Sequence, residues 1–141
     1  MLVRDVMNKN VVVSEPGITV KEAARIMSQF HIGSLIILKN KKIVGIITER
    51  DILISVAQGK EAELTTVEEV MTKNVITIAP DKTVEDAVNL MIEHRIKKLP
   101  VVDGNKLVGI ITASDIVVVE PKLIEGIANL ISIKLTGYRG G

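Results

Sequence analysis

The chain restates itself at a fixed separation of 64 residues. Val70-Met71-Thr72-Lys73-Asn74-Val75 repeats Val6-Met7-Asn8-Lys9-Asn10-Val11. Gly109-Ile110-Ile111-Thr112-Ala113-Ser114-Asp115-Ile116 repeats Gly45-Ile46-Ile47-Thr48-Glu49-Arg50-Asp51-Ile52. About twenty of the 48 positions from Val6 to Leu53 recur identically, with no insertion or deletion between the copies. A repeat of this size implies two like units that share their burial, because each alone is too short to bury a good core. The expected organisation is a first domain at 1–62, a second at 63–121, and a tail at 122–141.

Composition narrows the function classes. Of 141 residues, 47% are apolar, yet Phe30 and Tyr138 are the only aromatic ones, so Ile, Val and Leu must form the interior. The net charge of +1 offers no long-range field for a polyanion, which disfavours nucleic acid as a ligand. Cysteine is absent, which excludes disulfides and thiolate chemistry and agrees with a reducing, cytoplasmic setting. Arg4 and Asp5 interrupt the opening apolar residues, so no secretory leader is expected. The longest apolar runs are strand-sized, so no membrane span is expected either.

Each copy reads as strand, helix, strand, strand, helix. Asn10 to Ser14 has strand character and ends at Glu15-Pro16-Gly17. Thr19 then caps a helix, with Glu22 three residues on as the reciprocal partner, and Val20, Ala23, Ala24, Met27 and Phe30 follow at helical spacing. The second copy repeats this with Thr83, Asp86, Val84, Ala87, Val88, Leu90 and Met91. Leu35 to Leu38 and Leu99 to Val102 are apolar strands. Each leads through a tight turn (Asn40-Lys41, Gly104-Asn105) into a returning strand. After Pro121, Ile124, Ile127, Ala128, Ile131 and Leu135 predict a closing amphipathic helix.

The sharpest local feature is Gly-Ile-Ile-Thr-x-x-Asp, ending at Asp51 and Asp115. Thr48 or Thr112 stands at the open end of a strand, and the Asp falls on the first turn of the next helix. A hydroxyl beside free amides can hold phosphate oxygens, and the carboxylate can accept both hydroxyls of a ribose. The same spacing is also a plain helix cap. Both readings stand on sequence. Basic residues make a second feature: His31 ends one long helix, Arg95 and Lys97 follow the other, and Arg50 adjoins Asp51. They suit anionic groups, or they match the negative end of a helix dipole. Pro100 replaces Ile36 of the first copy and cannot donate a ladder hydrogen bond, which either opens backbone pairing where a flat base could enter or simply protects a sheet edge from further pairing. Catalysis has little support. No His pair has metal-ligand spacing, and neither a Walker loop nor Gly-x-Gly-x-x-Gly is present, so binding without turnover is expected.

Together these motifs resemble the tandem cystathionine-β-synthase-type (CBS) domain pair, or Bateman module. The resemblance rests on Val6-Met7 and Val70-Met71, on Pro16 and Pro80, on Ile96 to Asp103, and on the two Gly-to-Asp stretches, and it covers roughly Val3 to Val119. It implies an α+β fold of two βαββα units, related by a pseudo-twofold axis and packed through their sheets, in a stand-alone module that commonly forms a homodimer. It further implies a non-catalytic sensor of AMP, ADP, ATP or S-adenosylmethionine that regulates a partner protein. By that resemblance Asp51 and Asp115 hold ribose hydroxyls, and Thr48 and Thr112 approach the first phosphate. Val12, Thr77 and Ile78 line the adenine, Leu99 and Pro100 cover it, and His31, Arg50, Arg95 and Lys97 face phosphates. No catalytic residue, metal or catalytic cofactor is implied. The alternatives are a structural or protein-interaction module without nucleotide and, below it, a nucleic-acid binder. The first copy departs from the pattern at Ile36 and Gly33-Ser34, so the two clefts should differ.

Overall fold

The computed structural model describes residues 1–121. The amphipathic helix expected after Pro121 lies outside the described residues. In chain order the elements are α1 (Val3–Val6), β1 (Val13–Ser14), α2 (Val20–Phe30), β2 (Ser34–Lys39), β3 (Lys42–Thr48) and α3 (Glu49–Ala57). There follow α4 (Val67–Val70), α5 (Val84–His94), β4 (Lys98–Asp103), β5 (Lys106–Thr112) and α6 (Ala113–Val119).

These elements form two compact α+β units, and the units are not the two halves of the chain. One contains Val12–Val75; the other joins Met1–Val11 to the described residues from Ile76 on. The leading segment of each sequence repeat therefore packs with the other repeat. In the Ile76 unit, the Val3 N–H donates to Lys82 O at 2.8 Å and the Arg4 N–H to Pro80 O at 3.0 Å. Asn8 and Ile110 exchange backbone bonds at 2.8 and 2.9 Å. In the Val12–Val75 unit, Thr72 and Ile46 exchange the equivalent pair, each at 2.9 Å.

The Val12–Val75 unit carries a three-stranded sheet, ordered β1-β2-β3, with β1 parallel and β3 antiparallel to β2. Ala23 and Met27 of α2 pack with Leu35, Ile37, Ile47, Val67 and Met71. The Ile76 unit has the matching β4-β5 hairpin, and its β1 counterpart shrinks to a lone parallel bridge, Ile78 to Val101. Its core joins Val3, Val84, Ala87, Val88, Met91, Leu99, Val101, Ile111 and Ile116. Gly104 takes φ 63° at the second hairpin turn, while Asn40 and Lys41 both take positive φ at the first. Positive φ at both central residues, or at the first alone where it is glycine, gives the twist that suits a two-residue hairpin.

Gly45 and Gly109 have a use that the sequence reading, which treated them as strand residues, did not find. A Cβ on Gly109 would meet Met7 Sδ at 2.7 Å and Asn8 O at 3.0 Å. One on Gly45 would meet Met71 Sδ and Cγ, the latter at 2.8 Å. The Val-Met and Gly-Ile-Ile-Thr motifs are thus two sides of one contact in each unit. A register shift in each hairpin, at Ile37/Leu38 and Val101/Val102, falls beside that glycine.

Caps start the helices as the Thr spacing predicts. The Glu22 N–H donates to Thr19 Oγ at 3.1 Å, but the Glu22 carboxylate pairs with Arg25 and does not return to Thr19. At α5 the exchange is reciprocal: the Asp86 N–H donates to Thr83 Oγ at 3.0 Å and the Thr83 N–H to Asp86 Oδ2 at 3.1 Å. The Thr66 N–H donates to Glu69 Oε2 at 2.7 Å. These donated N–H bonds hold the carboxyls of Asp86 and Glu69 below their ordinary values of 3.8 and 4.5. A carboxyl depressed by folding adds stability above its unfolded pKa and loses it as pH falls through the folded one. Thermal midpoints are therefore expected to fall on acidification below about pH 4.5. The combined Glu69→Gln and Asp86→Asn variant should show a flatter acid limb. An acid limb identical to the wild type would show that these caps do not contribute to it.

Candidate functional site: the Thr-x-x-Asp turns

Each Thr-x-x-Asp sequence bridges a strand end and a helix start, and the backbone does the same thing in both. Thr48 sits at φ −117°, ψ 167° and Thr112 at φ −116°, ψ 157°. In both, the threonine hydroxyl accepts the Asp N–H, from Asp51 at 3.2 Å and from Asp115 at 3.1 Å. The first helical N–H is also taken: Glu49 donates to Gly33 O at 3.1 Å and Ala113 to Lys97 O at 2.9 Å. The first and third helical amides of each turn are thus committed within the protein.

The carboxylates differ. Asp51 is tied into its cap, with Oδ2 accepting the Thr48 N–H at 2.9 Å and the Thr48 hydroxyl at 3.1 Å. Its Oδ1 lies 3.4 Å from the Thr72 hydroxyl. Asp115 is half-buried, and among the described residues its carboxylate accepts no hydrogen bond. The residue equivalent to Thr72 in this unit is Asn8, whose Oδ1 accepts the Asn10 N–H at 2.9 Å. One Asp caps its own helix; the other keeps both oxygens available.

Pro100 leaves the opening in backbone pairing that its chemistry predicts. The Ile78 N–H donates to Pro100 O at 3.1 Å and the Val102 N–H to Ile78 O at 2.9 Å. Among the described residues, the backbone groups of Ile76 and Thr77 make no hydrogen bond. In the other unit Ile36 keeps its N–H, and Val13 and Ser14 pair as a true strand. Extending the Ile78–Val101 register sets Ile76 and Thr77 beside Leu99 and Pro100, at the end of the sheet where Thr112 pairs with Lys98. Two strand spacings, about 10 Å, separate that unpaired backbone from the end of β5. Leu99, Pro100 and Ile78 are buried, and Thr77 is exposed.

The basic residues are placed less uniformly. His31 and Arg95 occupy matching helix C-caps, both at φ 54°, a left-handed conformation uncommon for residues with a Cβ. Both are exposed, as are Arg50 and Lys97. His31 lines an open groove of about 500 Å³ between α2 and α3 with Ala24, Met27, Ser28, Ile32, Glu49 and Ile52. Asp51 lines a smaller recess of about 260 Å³ that includes Lys60 and Glu69. Val12 is half-buried and packs against the core of its unit. Among the described residues no group of three or more His, Cys, Asp or Glu could hold a metal ion, and no helix is long and apolar enough to cross a membrane.

Two α+β units built on Val-Met and Gly-Ile-Ile-Thr-x-x-Asp are the signature of paired CBS domains, and the CBS domain model matches residues 3–58 and 67–121. The chain belongs to the CBS domain family. It is 42% identical over 125 residues to protein MK0525 of Methanopyrus kandleri, covering 86% of this chain and 64% of that one. It is 38% identical over 117 residues to the CBS domain-containing protein YhcV of Bacillus subtilis, covering 82% and 83%. Among solved structures, the CBS domain pair of protein MJ0100, in complex with 5′-methylthioadenosine and S-adenosyl-L-methionine, superposes with a TM-score of 0.77 at 38% identity. That match covers 89% of this chain and 97% of the other.

Proposed function

We propose that the protein is a regulatory module that binds an adenosine-containing ligand at the Thr112–Asp115 turn without turning it over. The observation that carries this is the available Asp115 carboxylate, at the same sheet end as the unpaired backbone of Ile76 and Thr77. A carboxylate with two open oxygens suits the paired hydroxyls of a ribose. Backbone N–H and C=O groups without partners suit the edge of a base, because leaving them unpaired once covered is costly. The adenosyl ligands of the MJ0100 domain pair support the same class. Arg95 and Lys97 are the groups for an anionic or polar 5′ substituent, with Thr112 toward the first phosphate. Occupancy would shift the population of conformations, and a partner protein would read the difference. A cytoplasmic homodimer is the setting this reading expects.

Asp51 favours a second reading for its own unit. A carboxylate already bound to its helix start is what a purely structural turn requires.

Thermal unfolding against AMP, ADP, ATP, S-adenosylmethionine and GTP tests the proposal. A ligand at 100 times its dissociation constant adds about 2.7 kcal/mol. That raises the midpoint by roughly 5–10 °C for a chain of this length. Asp115→Asn should remove most of the shift while leaving the unliganded midpoint nearly unchanged. A full shift in Asp115→Asn, or equal shifts with GTP and the adenosyl ligands, would overturn the assignment.

A further inference from the structure

The two Thr-x-x-Asp turns share their Thr and Asp, backbone angles and the threonine cap, and differ at the intervening pair, Glu49-Arg50 against Ala113-Ser114, yet only one carboxylate is engaged. Among the described residues the intervening pair makes no hydrogen bond to either carboxylate, and position 8/72 is where the segments facing the turns differ. The six-residue repeat Val-Met-x-Lys-Asn-Val is identical in both copies except at that residue, Asn8 in one and Thr72 in the other. Both bridge the same strand position through backbone bonds, Asn8 to Ile110 and Thr72 to Ile46. Asn8 spends its side-chain oxygen on the Asn10 N–H, while the Thr72 hydroxyl faces Asp51 Oδ1 at 3.4 Å. We infer that Thr72 is a positioning residue that sets the affinity difference between the two turns, holding Asp51 in its cap and so making the Val12–Val75 turn the weaker adenosyl site.

This inference rests on the adenosyl reading of the Thr112–Asp115 turn. A ribose reaching Asp51 must first displace the Thr72 hydroxyl and then turn the carboxylate out of its bonds to Thr48. At 3.4 Å the Thr72 contact is long for an O–H···O bond, so its effect should be modest. Losing one such bond corresponds to about threefold to tenfold in affinity. Thr72 is exposed and its pairing with Ile46 uses backbone atoms alone, so replacing its side chain leaves the fold intact.

Calorimetric titration with S-adenosylmethionine and with AMP separates the possibilities. The wild type should show a tighter class of sites lost in Asp115→Asn and a weaker class lost in Asp51→Asn. Thr72→Val should strengthen the weaker class about threefold to tenfold, or bring it into range, without moving the tighter one. Thr72→Ser, which restores the hydroxyl, should behave as the wild type. A weaker class untouched by Thr72→Val would overturn the role of Thr72 while leaving the adenosyl reading standing, whereas a tighter class lost in Asp51→Asn would overturn both. Absence of binding by either ligand would overturn both.

Discussion

Deleting residues 1–11 is expected to unfold the unit that begins at Ile76 while leaving the Val12–Val75 unit folded. The segment is sequence-distant from its partners but integral to them. The Val3 side chain is wholly buried among Val84, Met91 and Ile116, with Val6 and Met7 packed at the margin of the same core. Its backbone supplies bonds to Lys82, Pro80 and Ile110, and Met1 O accepts the Val84 N–H at 3.0 Å. Burying one valine contributes about 1.5–3 kcal/mol. Each net hydrogen bond adds about 0.5–1.5 kcal/mol. The sum is on the order of 5 kcal/mol or more, which rivals the whole stability of a typical domain, about 5–15 kcal/mol. Hydrogen exchange on the 12–141 fragment checks the expectation. The amides of Val84 and Ile110 should lose protection, and those of Leu35 to Ile37 should keep it. Native-like protection at Ile110 in the fragment would show that the leading segment is an accessory to that unit. Val3→Asp, which buries a charge in the same place, should reproduce the effect in the full chain.

Much of this architecture was legible because duplication doubles every local signal. The helix caps at Thr19 and Thr83, the hairpins, and the Asp on each short helix follow from spacing alone. Pro100 announced its missing ladder bond, and the lone Ile78–Val101 bridge answers it. The exchange of leading segments was not legible, for a physical reason. Val6-Met7 and Val70-Met71 present the same groups to Gly45 and Gly109, so pattern alone fits either pairing. What decides between them is the path of the chain, which a one-dimensional repeat does not contain. The unequal carboxylates were hidden likewise: Thr48-x-x-Asp51 and Thr112-x-x-Asp115 carry the same Thr and Asp, and the residues that face them, Thr72 and Asn8, are remote in sequence. A visible trace was the mismatch of Asn8 with Thr72.

The pairing of methionine with glycine makes a further expectation, one that separates the two units by mechanism. Gly109→Val should destabilise the chain by roughly 2–3 kcal/mol, in the range that overpacking a filled site costs. For this length that lowers the thermal midpoint by about 5–10 °C. The reason is what a Cβ would meet. Met7 Sδ, at 2.7 Å, belongs to a flexible side chain that can swing aside. Asn8 O, at 3.0 Å, is backbone held by its bonds to Ile110, so relief there requires the leading segment to lift from β5. At Gly45 the close atoms all belong to the Met71 side chain. Trimming the methionine should therefore rescue one glycine substitution more than the other. Met71→Ala should recover most of the cost of Gly45→Ala, whereas Met7→Ala should recover only part of the cost of Gly109→Ala. Double-mutant cycles on chemical unfolding measure the two couplings directly. Equal rescue at both glycines would mean that the Asn8 backbone yields as readily as a side chain, and the leading segment would then be held less firmly than its hydrogen bonds to Ile110 imply.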